Sequence, residues 1–256
     1  MPSAHPIIAL WSHPRSTSTA IERIMRERGD CACFHEPFLY DYYVHRGLRE
    51  IPMLERPAGQ PESYEEIRAM LLEAGERGPV FFKDMSYYVV PRIFEDTDFA
   101  ERLTNTFLIR DPRRSIVSYH RLDPAMTCTE VGLAAQWEHF SFLRERLGRP
   151  PLVIESEAVG RAPAAMMKAY WKGCGLPFLA QALEWQAETP EDWKPVAGWH
   201  QTVTGSTGIR RQSGEEEARA AFEKAAAEAP HLRDYLEAHG AAYEALRGFA
   251  LAPDQA

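Results

Sequence analysis

An apolar run, Ile7-Ile8-Ala9-Leu10-Trp11, stops at a polar turn centred on Arg15 and passes straight into a helical pattern. The same succession recurs a hundred residues later, where Thr106-Phe107-Leu108-Ile109 gives way to Arg110-Asp111-Pro112. This pattern constrains the fold more than any other feature. It predicts a buried strand over residues 7–12 and a helix over 17–28, with Ile21, Ile24 and Met25 on one face. Asp111 and Pro112 form a cap and first-turn pair, so a helix starts there and runs to about His120 or Arg121. Further strands are expected at Cys31–Phe34, Pro79–Lys83 and Pro151–Glu155. Ser63-Tyr64-Glu65-Glu66 is a capping box for a helix to about Ala74. Helices are also expected at 98–104, Glu130–Leu147, Pro163–Gly173, 215–228 and 231–246. Strands alternating with helices imply an α/β fold whose mostly parallel sheet is covered on both faces. Ligands of such sheets bind beyond the carboxyl ends of the strands, where both arginine turns lie.

Length matters next. The 256 residues, 45% of them apolar, suit one domain over 1–256. Residues 39–61, with Tyr40, Tyr42, Tyr43, Pro52, Pro57, Gly59 and Pro61, read as an irregular excursion or lid. Residues 185–250 read as a long loop followed by helices. The formal charge of −8 sets aside general nucleic-acid binding. Cys31, Cys33, Cys128 and Cys174 make one Cys-x-Cys with no second pair, so free thiols in a reducing cytoplasm are expected and a zinc site is not. A signal peptide and a membrane-spanning run are both missing from the pattern. Nothing in it specifies an oligomeric state.

Each arginine turn combines a strand end, a cation with hydroxyls, and a helix N-terminus. Free N–H groups and the helix dipole favour an anion there. Two such turns in one domain suit a ligand with two separated phosphate clusters. Trp11–Thr19 holds neither glycine nor lysine, so the Gly-x-x-x-x-Gly-Lys-Ser/Thr loop of nucleotide triphosphatases is absent. Arg15 instead offers a fork of donors, and Ser16, Thr17, Ser18 and Thr19 offer hydroxyls and amides. Ser118 stands nearly two turns into the second helix, and Arg110 reaches it only by folding back. Taken singly, the first turn also fits an ordinary hydroxyl-rich cap, and the second an Arg–Asp surface pair.

Together these segments resemble the sulfotransferase superfamily, which uses 3′-phosphoadenosine 5′-phosphosulfate (PAPS). Pro14-Arg15-Ser16-Thr17-Ser18-Thr19 is similar to the segment that holds the 5′ phosphosulfate there. Arg110 with Ser118 eight residues on is similar to the pair that holds the 3′ phosphate. His35-Glu36-Pro37-Phe38 resembles a Glu-Pro segment whose glutamate is the proposed base. The resemblance implies a three-layer α/β/α sandwich of the P-loop type, and a small acceptor with a hydroxyl or amine. It implies 3′,5′-adenosine bisphosphate as product and no metal. Departures are Thr17, where glycine is usual, and Lys83-Asp84-Met85, where many relatives carry a catalytic histidine. Arg15, the Ser16–Thr19 backbone and Lys83 are then expected to stabilise developing charge. Glu36 is the first candidate base, followed by Asp84 and His35. Arg210, beside Arg211, is a candidate for the 3′ phosphate. Trp193, Trp199 and Phe34 are candidates for stacking on adenine or for core, and Tyr40, Tyr42 and Tyr43 for an acceptor pocket. A non-catalytic nucleotide-binding protein and a degenerate P-loop kinase or hydrolase are the competing readings.

Overall fold

Successive side chains of the first strand, β1 (Ile7–Ser12), enter opposite layers. Ile7, Ala9 and Trp11 belong to one buried cluster, Ile8 and Leu10 to another. A central parallel strand is buried on both faces, which is why this run is continuously apolar. The computed structural model describes residues 5–186, 190–199, 207–209 and 212–252. Its strands are β1, β2 (Ala32–His35), β3 (Val80–Met85), β4 (Thr104–Ile109) and β5 (Leu152–Glu155), all parallel, in the order β2-β3-β1-β4-β5.

The helices in chain order are α1 (Ser18–Glu27), α2 (Tyr64–Arg77), α3 (Ser86–Val89), α4 (Arg92–Glu95), α5 (Thr97–Arg102) and α6 (Pro112–Leu122). Then come α7 (Leu133–Leu147), α8 (Ser156–Arg161), α9 (Pro163–Gly173), α10 (Glu215–Glu228) and α11 (His231–Arg247). One sheet face packs Ile67 and Leu71 of α2, Phe140 and Leu143 of α7 and Leu232 and Leu246 of α11. The other packs Ile21, Ile24 and Met25 of α1 with Met166, Met167, Tyr170 and Trp171 of α9. The result is the expected three-layer sandwich.

Several boundaries differ from expectation. The helix expected from Glu130 begins at Leu133, after a 3₁₀ turn at Thr129–Val131. Gly132 separates the two at φ 83°, and a Cβ there would lie 3.1 Å from His13 Cβ, so the break belongs to glycine. β3 runs on through Asp84 to Met85. The excursion at 39–61 opens on a buried π-helical turn, Asp41–His45. Asp41 pairs with Arg46 at 2.7 Å and accepts from the Tyr64 amide at 3.1 Å. The later loop contains a kinked 3₁₀ stretch, Glu191–Trp199. Among the described residues no helix is long and apolar enough to cross a membrane.

β1 and β4 are neighbours, and their pairing ends at Trp11 and Phe107. Beyond that point Gln136 of α7 donates to the carbonyls of Trp11 and Leu108, at 2.9 Å each. The strands can therefore part here without leaving those carbonyls unmet. The chain has built β2 and β3 on one side of β1 and crosses to β4 and β5 on the other. This reversal is where a parallel sheet opens a crevice, and both arginine turns flank it.

Candidate functional site

The turn after β1 is built from strained residues. Arg15 has φ 63° and Thr17 has φ 70°, both left-handed. Each costs an L-residue about 1–2 kcal/mol, and surrounding bonds must hold it. The Ser16 amide donates to the His13 carbonyl at 3.2 Å. Arg15 Nε donates to Ser118 Oγ at 3.0 Å, and Nη1 to the Trp199 carbonyl at 2.5 Å. The Thr17 hydroxyl lies 2.6 Å from that of Ser156. The turn thus takes up the left-handed conformation with a threonine, whose hydroxyl is engaged by α8. No side chain caps α1, and the amides of Thr17 and Ser18 donate to no acceptor among the described residues. They leave a site of positive potential at the helix start.

Arg110 leaves the end of β4 and turns toward the same place. Its Nη1 donates to the Arg15 carbonyl at 2.7 Å and its Nε to Gln212 Oε1 at 2.9 Å. Gln212 in turn donates to Ser156 Oγ at 2.6 Å. Ser118 accepts from Arg15, so the expected Arg110–Ser118 convergence becomes a crossed pairing around one space. Asp111 caps α6 by accepting from the Arg113 amide at 2.9 Å, as expected. Burial, with Arg114 and Arg15 nearby, lowers Arg110 to about 10 even though Glu157 opposes the shift. It is still a cation at neutral pH. Burial likewise lowers Arg15. Two crowded, partly desolvated cations favour an anionic ligand. Buried His13 is held neutral, at about 3, by burial and by Arg110, and its Nε2 accepts from the Arg110 amide at 3.1 Å.

A cavity of about 360 Å³ joins these parts. Arg15, Thr17, Ser18, Thr19, Arg110, Ser118, Glu36 and Lys83 all line it. Ser16 does not: it is buried, and its hydroxyl has no partner among the described residues. Glu36, just past β2, and Lys83, within β3, form a buried ion pair. Of the three candidate bases only Glu36 reaches the cavity. Asp84 is fully buried and accepts from the amides of Phe38 at 2.7 Å and Met85 at 3.0 Å. Burial, and then Glu36, push its pKa well above the usual carboxylate range. His35 Nδ1 lies 2.6 Å from Glu22 Oε2, behind the cavity wall.

The aromatic expectations divide. Trp199 lines the cavity. Trp193 is buried and donates to Glu22 at 2.7 Å. Phe34 is not in the lining. Tyr40, Tyr42 and Tyr43 are not in it either; the tyrosines there are Tyr87, Tyr88 and Tyr119. Tyr42 packs against Tyr87 and Tyr88, and Tyr43 against Tyr88, with ring centres 5.2–5.6 Å apart. Sequence reasoning missed these three tyrosines, Ser156 and Gln212. Tyr87 and Tyr88 follow the carboxyl end of β3, and Ser156 follows that of β5, so the strand-end rule was the available signal. Gly208, Ile209 and Gln212 line the cavity, while Arg210 and Arg211 lie outside the described residues. Among the described residues no group of acidic, histidine or cysteine side chains is placed to hold a metal.

Residues 6–232 match a family model described as a sulfotransferase domain. Two curated plant proteins from Arabidopsis thaliana are similar to this chain. Branched-chain-amino-acid aminotransferase-like protein 2 is 26% identical over 206 residues, and protein 1 is 27% identical over 207. Each match covers 79% of this chain and 36% of the relative, so the chain spans about a third of the length of those proteins. Among solved structures, the sulfotransferase domain from the curacin biosynthetic pathway superposes with a TM-score of 0.50 at 14% identity. That superposition covers 88% of this chain and 99% of the other, and it shows a shared α/β fold.

Proposed function

Because the chain belongs to the sulfotransferase domain family, we propose that it moves a sulfuryl group from PAPS to the hydroxyl or amine of a small acceptor. The observation that carries this reading is the meeting of Arg15 and Arg110 in one cavity, with Glu36 on the same wall. PAPS carries phosphate at two separated positions, and the donor set suits it. The uncapped start of α1, Arg15, and Ser18 and Thr19 on the cavity wall suit the 5′ phosphosulfate. Arg110 with Ser118 suits the 3′ phosphate. Arg210 is proposed as a further 3′-phosphate contact, since Gly208, Ile209 and Gln212 around it in sequence line the cavity.

The donor supplies the sulfuryl group. In transfer to a hydroxyl, the new O–S bond forms as the S–O bond to phosphate breaks, and that bond's electron pair stays on the phosphate oxygen. Arg15, the first amides of α1 and Lys83 meet the charge that builds there, without covalent chemistry of their own. Glu36 takes the hydroxyl proton. Lys83 holds its carboxylate in place and is near enough to answer the shift of charge.

Isothermal titration tests the reading with 3′,5′-adenosine bisphosphate and, separately, ATP with magnesium. Binding of the bisphosphate is expected. Binding of ATP–magnesium alone would return the chain to the kinase or hydrolase reading.

A further inference from the structure

Beside the arginine turns the cavity changes character. Its wall there is made of Leu39, Ile51, Tyr87, Tyr88, Tyr119 and Val196, roofed by Trp199. The tyrosine hydroxyls of this wall are largely spent elsewhere. Tyr87 Oη is 3.0 Å from Tyr43 Oη, and Tyr119 Oη donates to Glu130 at 3.4 Å. Glu130 is itself buried and saturated. It accepts from Tyr43 at 2.7 Å, from Arg49 Nη2 at 2.7 Å and from the Thr127 amide at 2.8 Å. Its charge is therefore answered behind the wall and not offered to the cavity. Burial raises the Tyr87 and Tyr88 phenols well above their usual range, so the rings are neutral. Among the described residues of this wall, Glu36 and Lys83 neutralise each other, and the other ionised side chain is Arg15, whose guanidinium reaches the Trp199 carbonyl and faces the donor nucleotide in the sulfotransferase reading.

We infer that the acceptor is an uncharged, largely apolar alcohol, with a ring or alkyl body against Tyr87, Tyr119, Ile51 and Val196 and its hydroxyl at Glu36. The inference rests on the sulfotransferase reading of the same cavity. A charged acceptor would lose its hydration here, and Arg15 beside it is taken up by the donor phosphosulfate in the same reading. A sugar would bring several hydroxyls to a largely apolar wall on which the Tyr87 and Tyr119 hydroxyls are already engaged, leaving most of its own unsatisfied. Leu48 and Met53, two of the three large exposed apolar side chains among the described residues, lie on the excursion. Met53 packs against Gly198, next to Trp199 of the roof.

The test is equilibrium binding to the full chain, with and without saturating 3′,5′-adenosine bisphosphate. The probes are 2-naphthol, 2-naphthoate and glucose. The expected result is that 2-naphthol binds at least tenfold tighter than either of the others. Ile51→Glu is expected to weaken 2-naphthol at least tenfold, and Ile51→Ala less than fivefold, while both keep the bisphosphate affinity within twofold. Glucose or 2-naphthoate matching 2-naphthol would overturn the inference, as would 2-naphthol binding that ignores Ile51→Glu, or no 2-naphthol binding at all. Failure to bind the bisphosphate, with the naphthol results intact, would strike the sulfotransferase reading and leave an apolar chamber of another purpose.

Discussion

Arg110 reaches across from β4 to β1 and donates through Nη1 to the carbonyl of Arg15, 2.7 Å away and 95 residues distant in sequence. The bond does two things. It holds Arg15 in a left-handed conformation, and it ties the two anion pockets into one rigid unit. The carbonyl it reaches belongs to the residue whose side chain grips Ser118 and the Trp199 carbonyl. Disturbing either arginine should therefore be felt at both ends of a bound nucleotide.

Arg110→Ala is expected to weaken 3′,5′-adenosine bisphosphate by about 1.5–3 kcal/mol, the range for losing a charged hydrogen-bond partner. That is roughly a 10- to 150-fold rise in Kd. Arg110→Lys should fall between, because an ammonium keeps the charge but not the fork that serves Arg15 and Gln212 together. Titration calorimetry reads both, and an unchanged Kd for the alanine variant removes Arg110 from the donor site.

Glu36→Gln should lower turnover by about 10²- to 10⁴-fold, the usual contribution of a positioned base. The amide keeps a hydrogen-bond acceptor for Lys83 but strands its charge in a buried place. A stability loss of up to about 3–5 kcal/mol accompanies that. The double variant Glu36→Gln/Lys83→Met removes the stranded charge and should recover stability without recovering turnover. If turnover of Glu36→Gln stays within twofold of the parent, another group takes the proton.

Much of this architecture was legible in the sequence because its signals are periodic. Four of the strands are runs of apolar residues, and α2 and α6 carry capped, amphipathic patterns. What escaped is short or crossed. α3 and α8 have four and six residues, too few to show a 3.6-residue period. Tyr87 and Tyr88 sit on one of these, so the acceptor wall stayed hidden behind the more conspicuous Tyr42 and Tyr43. Ser118 was legible from its spacing as a residue near this cavity, but not its partner. Spacing along α6 relates it to Arg110, whereas the sheet order that puts β1 beside β4 gives it to Arg15.

Acid should destabilise the fold through buried histidines. His139 lies in the core, with its ring 4.6 Å from Trp11 and 5.6 Å from Phe107. Burial lowers its pKa to about 3, and burial with Arg110 does the same for His13. The unfolded chain takes up these protons below about pH 6.5, and the folded one refuses them until about pH 3. Stability is thus present above 6.5 and lost progressively as the pH falls between the two values. His139→Phe removes one such proton and fits its aromatic surroundings. Urea unfolding between pH 7 and 5 should show its stability falling less steeply, by up to about 1.4 kcal/mol per pH unit below 6.5. Parallel lines for parent and variant would show that His139 does not titrate with folding.

Thr17 is the last test, because it separates strain from hydrogen bonding at the donor turn. It sits at φ 70° and ψ 18° with its hydroxyl 2.6 Å from that of Ser156. Thr17→Ala loses the bond and keeps the left-handed backbone, so it should cost about 1 kcal/mol. Thr17→Gly loses the same bond but relieves about 1–2 kcal/mol of left-handed strain, less what glycine adds to the entropy of the unfolded chain. Glycine should therefore be the more stable of the two by about 1 kcal/mol, and should bind 3′,5′-adenosine bisphosphate no more weakly than the parent. The order matters more than either value. Only a turn that needs a positive φ ranks glycine above alanine, since glycine is otherwise the poorer choice. Equal urea midpoints, or alanine ahead, would mean that the turn follows a different path and that the amides of Thr17 and Ser18 do not face the cavity.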